Sequence, residues 1–170
     1  MSQSSSRRLI VPREPIRGHI RWMTRRDFPA ILAIEAASSE SPWREDDFIR
    51  PLRERNVIGA IAERGDEVLG FMVYRLHPSH VELINLAIAP GHRRRGVGRQ
   101  MVAKLVGKLS ITGRTSIRLH IRESLLAAQL FCRAEGFRAT RVDREWCDDT
   151  GEDAYAMRYD LDGFAPEDDA

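Results

Sequence analysis

The sequence predicts a mixed α/β (α+β) domain, a β-sheet with helices packed on it. Three observations carry that prediction. Strand-like and helix-like stretches follow one another in the order β-α-α-β-β-β-α-β-α-β-β. Hairpins fall near both ends of that order and helices lie between the central strands. The third is the stretch Val81 to Leu109, VELINLAIAPGHRRRGVGRQMVAKLVGKL, which reads as a buried strand, a basic turn with glycines and an amphipathic helix.

A chain of 170 residues fits one domain with a sizeable core. We expect a single domain over 18–161, flanked by a flexible basic tail (1–17) and an acidic tail (162–170). With 42% hydrophobic and 31% charged residues, the composition is that of a globular protein. The net charge of +2 is too small to argue for a nucleic-acid partner. Arginines crowd the first 26 residues and the turn at 93–99, and the C-terminal stretch is acidic. That distribution fits an anionic ligand near the turn. Cys132 and Cys147 have no CxxC spacing, which argues against a disulfide scaffold or a zinc site and for a reducing, cytoplasmic setting. No apolar run approaches the roughly 18 residues of a membrane span, and the first residues, with no apolar h-region, are not expected to be a secretory signal.

Met1 to Arg17 is rich in Ser and Arg and reads as a loosely attached tail. His19 to Met23 is a short strand. Thr24 with Asp27 resembles a helix-opening box, and the helix runs to about Ala37 with Phe28, Ile31, Leu32 and Ile34 buried. Ser38 to Pro42 breaks it, and a second helix covers Glu45 to Arg53, limited by Pro51. Trp43, in the loop between them, lines a substrate entrance or anchors the loop. Val57 to Glu63 and Glu67 to His77 are strands joined by Arg64-Gly65-Asp66. His77 and His80 read as exposed turn residues. Val81 to Ile88 is the next strand, ended by Pro90 and Gly91. Val97, Met101, Val102, Leu105, Val106 and Leu109 form the stripe of the following helix. In the strand Thr115 to Ile121, Ile117, Leu119 and Ile121 share one face. Ser116, Arg118, His120 and Arg122 share the other. A helix from about Ser124, its N-cap, to Ala134 stops at Gly136. Arg138 to Cys147 and Ala154 to Leu161 are the last strands.

The turn Arg93-Arg94-Arg95-Gly96-Val97-Gly98 leads into a helix. A helix N-terminus has unpaired N–H groups and partial positive charge. Three arginines there are unfavourable unless an anion joins them, and glycines let a phosphate approach the backbone. A phosphate-binding turn is the favoured reading, against a solvated charge run or an RNA patch.

Arg93-x-x-Gly96-x-Gly98, following Leu86-Ala87-Ile88-x-Pro90, resembles the acetyl-CoA motif of the GNAT superfamily of N-acetyltransferases. Leu130-Phe131 followed by Gly136-Phe137 resembles that family's later helix, and the likeness spans about residues 18–161. Ser41-Pro42-Trp43 and Glu152-Asp153-Ala154-x-Ala156-Met157 make the chain most similar to the protein N-terminal acetyltransferases, including bacterial enzymes acting on a ribosomal protein.

The resemblance implies a mostly antiparallel twisted sheet with helices on both faces. It also implies acetyl-CoA as co-substrate and no metal. Leu86, Ala87 and Ile88 would offer main-chain groups to the pantetheine. Arg93, Arg94, Arg95, Gly96, Val97 and Gly98 would wrap the pyrophosphate, with Arg99 flanking it. The acceptor implied is an amine, foremost a protein or peptide N-terminus. A small amine, a lysine side chain and a non-catalytic acetyl-CoA-binding module remain open.

The catalytic half departs from the bacterial pattern. His120 stands where those enzymes have a Glu, Cys132 where they have a Tyr, and Leu125 where an Asn is usual. An imidazole is suited to accept a proton near neutral pH, so His120 is one candidate base. Glu82 is the second, near the position of a catalytic Glu in histone-type members. Cys132 reads as a small buried residue. Tyr155 and Tyr159 are further candidates to reach the site, Tyr155 and Trp43 as acceptor-side residues.

Overall fold

The computed structural model describes residues 13–163. Strand β1 (His19–Trp22) leads through a 3-10 turn into α1 (Phe28–Ser38) and α2 (Glu45–Leu52). Strands β2 (Val57–Arg64), β3 (Glu67–Leu76) and β4 (His80–Ile88) form a meander, followed by α3 (Val97–Thr112). Then come β5 (Ser116–Arg122), α4 (Leu126–Ala134), β6 (Arg138–Asp143) and β7 (Ala154–Asp160). The predicted element order is the observed one. None of the described helices is long and apolar enough to cross a membrane.

The strands form one sheet in the order β1-β2-β3-β4-β5-β7-β6. Every described pairing is antiparallel except β4 with β5. Successive side chains of a strand point to opposite faces, and the middles of β2 and β3 are buried on both. Phe71 and Val73 of β3 pack with Phe28, Ile31 and Phe48 of α1 and α2. Met72 and Tyr74 point the other way and pack with Met101, Leu105 and Leu109 of α3. Burial on both sides explains why β3 reads as a continuous apolar run.

Several boundaries differ from those expected. The strand expected to run from Arg138 to Cys147 ends at Asp143, because Glu145 turns the chain with φ at 51°. Leu125, not Ser124, holds the N-cap of α4, without a side-chain cap bond. The Glu152 carboxylate instead accepts the Ser124 N–H at 2.6 Å. His77 and His80 are half-buried and stacked at 4.4 Å rather than free in a turn. The loosely attached tail expected over 1–17 is narrowed at its end, since Ile16 is 2% exposed within the α3 core. Residues 1–12 of that tail and 164–170 of the acidic tail lie outside the described residues.

Candidate active site

The parallel pair β4–β5 is short. It holds from His80↔Ser116 to Glu82↔Arg118, after which no register joins the strands. Beyond Glu82, β4 is paired among the described residues only with β3, through a bulge between Val73 and Tyr74. One edge of Leu83 to Ile88 is thus left without a β5 partner. A cleft of about 890 Å³ opens there. Leu83 to Ala87 form one wall, and Leu119 to Arg122 form the other. The loop after α1 and the loop before β7 rim it.

His120 lies in the β5 wall. Its Nε2 is 2.8 Å from Asp143 Oδ2, and its ring stacks on Trp146 with centroids 3.7 Å apart and planes 6° apart. The pair spans the intervening strand β7. His120 is in register with Ala156, and Asp143 with Ala154. Both alanines are buried and small, so two longer side chains can meet over them. Hydrogen bonds from Arg141 and then His120 hold the Asp143 carboxyl below its ordinary range. An ionised carboxylate only accepts, so Nε2 carries the hydrogen of this bond and Nδ1 is the ring nitrogen that Asp143 does not engage.

Glu82, the second candidate base, is not brought to the cleft. It sits where β4 and β5 are still joined, and the cleft lining on β4 begins at Leu83. Its carboxylate accepts from His77 at 2.8 Å and Arg75 at 3.1 Å. Burial pushes its carboxyl up, but those bonds outweigh it, leaving it below the ordinary range. Tyr155 is not among the residues that line the cleft. It is in register with Ile121, so it shares the core face of β5, opposite to His120, and packs against the α3 core. Tyr159 is likewise packed, 5.7 Å from Phe137. Cys132 does line the cleft, but burial first, and Glu135 second, push its thiol up to about 12. A thiol held there is a poor proton donor to a leaving thiolate.

Trp43 lines the rim and is anchored at the same time. Its ring meets Phe48 edge-on at 5.1 Å, and its main-chain N–H donates to Glu35 Oε1 at 3.1 Å. Glu35, 4% exposed on α1, also accepts from Asn85 of β4 at 3.2 Å. That carboxylate pins the rim loop to the cleft wall. Opposite, Asp149 makes two 2.9 Å bonds to Arg122. Arg122 first, and Ser41 second, hold the Asp149 carboxyl down at about 2. The Ser41 bond joins the two rim loops.

The basic turn lies just past Ile88, outside the cleft lining. Arg93 donates to the Ile88 carbonyl at 3.0 Å and to Ser38 Oγ at 2.8 Å. Gly96 has φ of 82° and Arg94 of 60°, so the chain needs the left-handed region twice within three residues. Gly98 is glycine for a different reason. A Cβ there would lie 3.1 Å from Phe131 of α4, so close helix packing requires it.

Sequence reading missed Glu35, Asp143 and Trp146. Glu35 carried a signal, an acid one helical turn from Ile31 on a buried stripe. The other two carried none, because their contact with His120 depends on the β5-β7-β6 order. Leu86, Ala87, Trp43 and His120 are brought to one cleft, whereas Ile88 and the 93–99 turn are not among the residues that line it.

A family model described as the acetyltransferase (GNAT) family matches residues 19–137. The ribosomal protein bS18-alanine N-acetyltransferase of Escherichia coli is 28% identical over 133 residues, 77% of this chain and 89% of that protein. A crystal structure of the E. coli ribosomal-protein alanine N-acetyltransferase superposes with a TM-score of 0.76 at 24% identity. The superposition covers 89% of this chain and 98% of that one. An Elizabethkingia anophelis GNAT family acetyltransferase, solved with acetyl-CoA bound, gives a TM-score of 0.69 at 15% identity. That match covers 84% of this chain and 97% of the other.

Proposed function

We propose, for a chain that belongs to the acetyltransferase (GNAT) family and is an N-acetyltransferase, that it moves the acetyl group of acetyl-CoA onto a protein or peptide N-terminal amine. The observation that carries the mechanism is His120 in the cleft wall, with Nε2 engaged by Asp143 and Nδ1 left over. The donor reading is supported by the family, by the acetyl-CoA-bound relative, and by the unpaired β4 edge that ends at a basic helix-opening turn. Leu86, Ala87 and Ile88 then offer main-chain groups to the pantetheine. Arg93 to Gly98 surround the pyrophosphate, with Arg99 beside it.

Acetyl-CoA supplies a thioester carbonyl open to attack. The amine nitrogen forms the new C–N bond, and the C–S bond breaks. His120 Nδ1 takes the proton that the nitrogen must lose. The coenzyme leaves as thiolate, without help from Cys132. Trp43 and the loops joined through Ser41 and Asp149 border the acceptor end. Six acids, Glu35, Glu40, Asp47, Asp148, Asp149 and Glu152, line the same cleft against three arginines, Arg50, Arg75 and Arg122, and the negative balance favours a cationic amine. The N-terminal acceptor is supported by the bS18-alanine N-acetyltransferase relative. The test is thiol release from acetyl-CoA with a panel of short peptides bearing free N-termini. Release only with small amines or lysine side chains would overturn the acceptor. No release with any amine would overturn the enzymatic reading.

A further inference from the structure

Residues 13–18 precede the 19–137 stretch matched by the family model, and they lie across the basic turn. Ile16 is buried in the α3 core, and its N–H donates to the Arg95 carbonyl at 2.9 Å. Gln100, one turn into α3, ties the same two segments together. Its Oε1 accepts the Gly18 N–H at 2.9 Å. Its Nε2 donates to the carbonyls of Ile16 and Gly96. Arg95 Nε donates to the Glu14 carbonyl at 2.8 Å, and Arg13 to that of Gly91 at 3.5 Å.

The consequence follows from peptide geometry. In a trans peptide the carbonyl and the N–H of one plane point in opposite directions. Holding the Arg95 carbonyl against Ile16 turns the Gly96 N–H away from the strap. The Gly96 carbonyl already accepts the Gln100 main-chain N–H at 3.1 Å, the first bond of α3, which turns the Val97 N–H outward, and the Gln100 side chain reinforces that orientation. These are donors that an anion meets at the start of a helix. Local preference alone does not fix this form, because Arg94 and Gly96 are both left-handed and Arg94 adopts that region reluctantly.

We propose that residues 13–18 form a strap that presets the turn for the pyrophosphate of coenzyme A. Ile16 is its anchor and Gln100 its link to α3. Both are positioning residues for donor binding, and the inference rests on the acetyl-CoA reading above. A preset turn spends no binding energy on ordering itself, so the strap acts on affinity for the phosphate-bearing part of the donor.

The test uses the full chain and two donors, acetyl-CoA and S-acetylpantetheine, which has the thioester and arm but no phosphate. In Gln100→Leu, the Kd for CoA by calorimetry and the KM for acetyl-CoA rise about tenfold. The kcat at saturating acetyl-CoA and the kcat/KM with S-acetylpantetheine stay near wild type. Ile16→Ala shows the same pattern more weakly. An unchanged Kd in Gln100→Leu would overturn the strap's role. An equal loss with both donors would overturn it too, marking a general structural defect. A wild-type chain that binds no CoA would overturn the acetyl-CoA reading itself and the strap's role with it.

Discussion

The imidazole of His120 and the carboxylate of Asp143 meet across an intervening strand, Nε2 to Oδ2 at 2.8 Å. The two alanines of β7 beneath them make that contact possible. The contact fixes which ring nitrogen is available to the cleft, and Trp146 fixes the ring plane. Asp143→Asn should therefore lower kcat about tenfold, in the range seen when the orienting partner of a functional histidine is removed. KM for acetyl-CoA should stay within about twofold. Ala156→Leu, which would put bulk under the pair, should give the same phenotype. Steady-state kinetics check both variants, and a wild-type kcat in Asp143→Asn would remove Asp143 from the mechanism.

Glu82→Gln should keep kcat within about threefold of wild type. Its carboxylate is engaged by Arg75 and His77 at the joined end of β4 and β5. Stability should fall by about 0.5–1 kcal/mol, the usual range for a partly exposed ion pair. A dead Glu82→Gln beside an active His120→Ala would reverse the roles assigned to these residues.

Asp27 gives a pH-dependent contribution to stability. It is 5% exposed, and Arg21 grips it through two bonds of 2.8 and 2.9 Å. Thr24 N–H adds a third at 2.7 Å. The Arg21 bonds, ahead of an opposing burial effect and then the Thr24 bonds, hold the carboxyl below its ordinary value of 3.8. The folded form binds the proton less readily than the unfolded chain. Stabilisation is therefore complete above the ordinary value and is lost as pH falls through the lower folded one. Asp27→Asn should cost about 1–3 kcal/mol at neutral pH, and the difference should shrink below a pH of about 4. Urea unfolding at neutral and acidic pH measures it. An equal difference at both would show that the charge plays no part.

The two glycines of the turn should behave differently. Gly96→Ala meets no close neighbour, and its cost is the left-handed backbone, about 1–2 kcal/mol. Gly98→Ala drives a methyl against Phe131 and should cost about 1–3 kcal/mol through overpacking. Phe131→Ala should rescue the packing of Gly98→Ala but do nothing for Gly96→Ala. A double-mutant cycle followed by thermal unfolding reads this coupling, and additive effects would contradict it.

Local pattern made most of the fold legible. The stripe of α3, the hairpin at Gly65 and the two faces of β5 each depend on neighbours within a few residues. The strand end, turn and helix start from Leu86 to Arg99 were legible for the same reason, since they form one continuous stretch. The catalytic half was not. His120 could be named because its strand alternates, but Asp143 reaches it only after β7 has inserted between β5 and β6. The face that Tyr155 takes could not be read either, because a strand's two faces cannot be told apart until its register with Ile121 is known. The binding turn looked self-sufficient in sequence, whereas Ile16 and Gln100 hold it from outside the motif.

The central claim is α-amine acetylation with His120 as the base. The most direct measurement follows acetyl-CoA with a peptide that carries both a free N-terminus and an internal lysine. Mass spectrometry locates the acetyl group, and wild type is compared with His120→Ala. The account predicts acetylation at the N-terminal amine, slowed about a hundredfold or more in His120→Ala, with CoA affinity within about twofold of wild type. Acetylation confined to the lysine, or a His120→Ala rate equal to wild type, would contradict it.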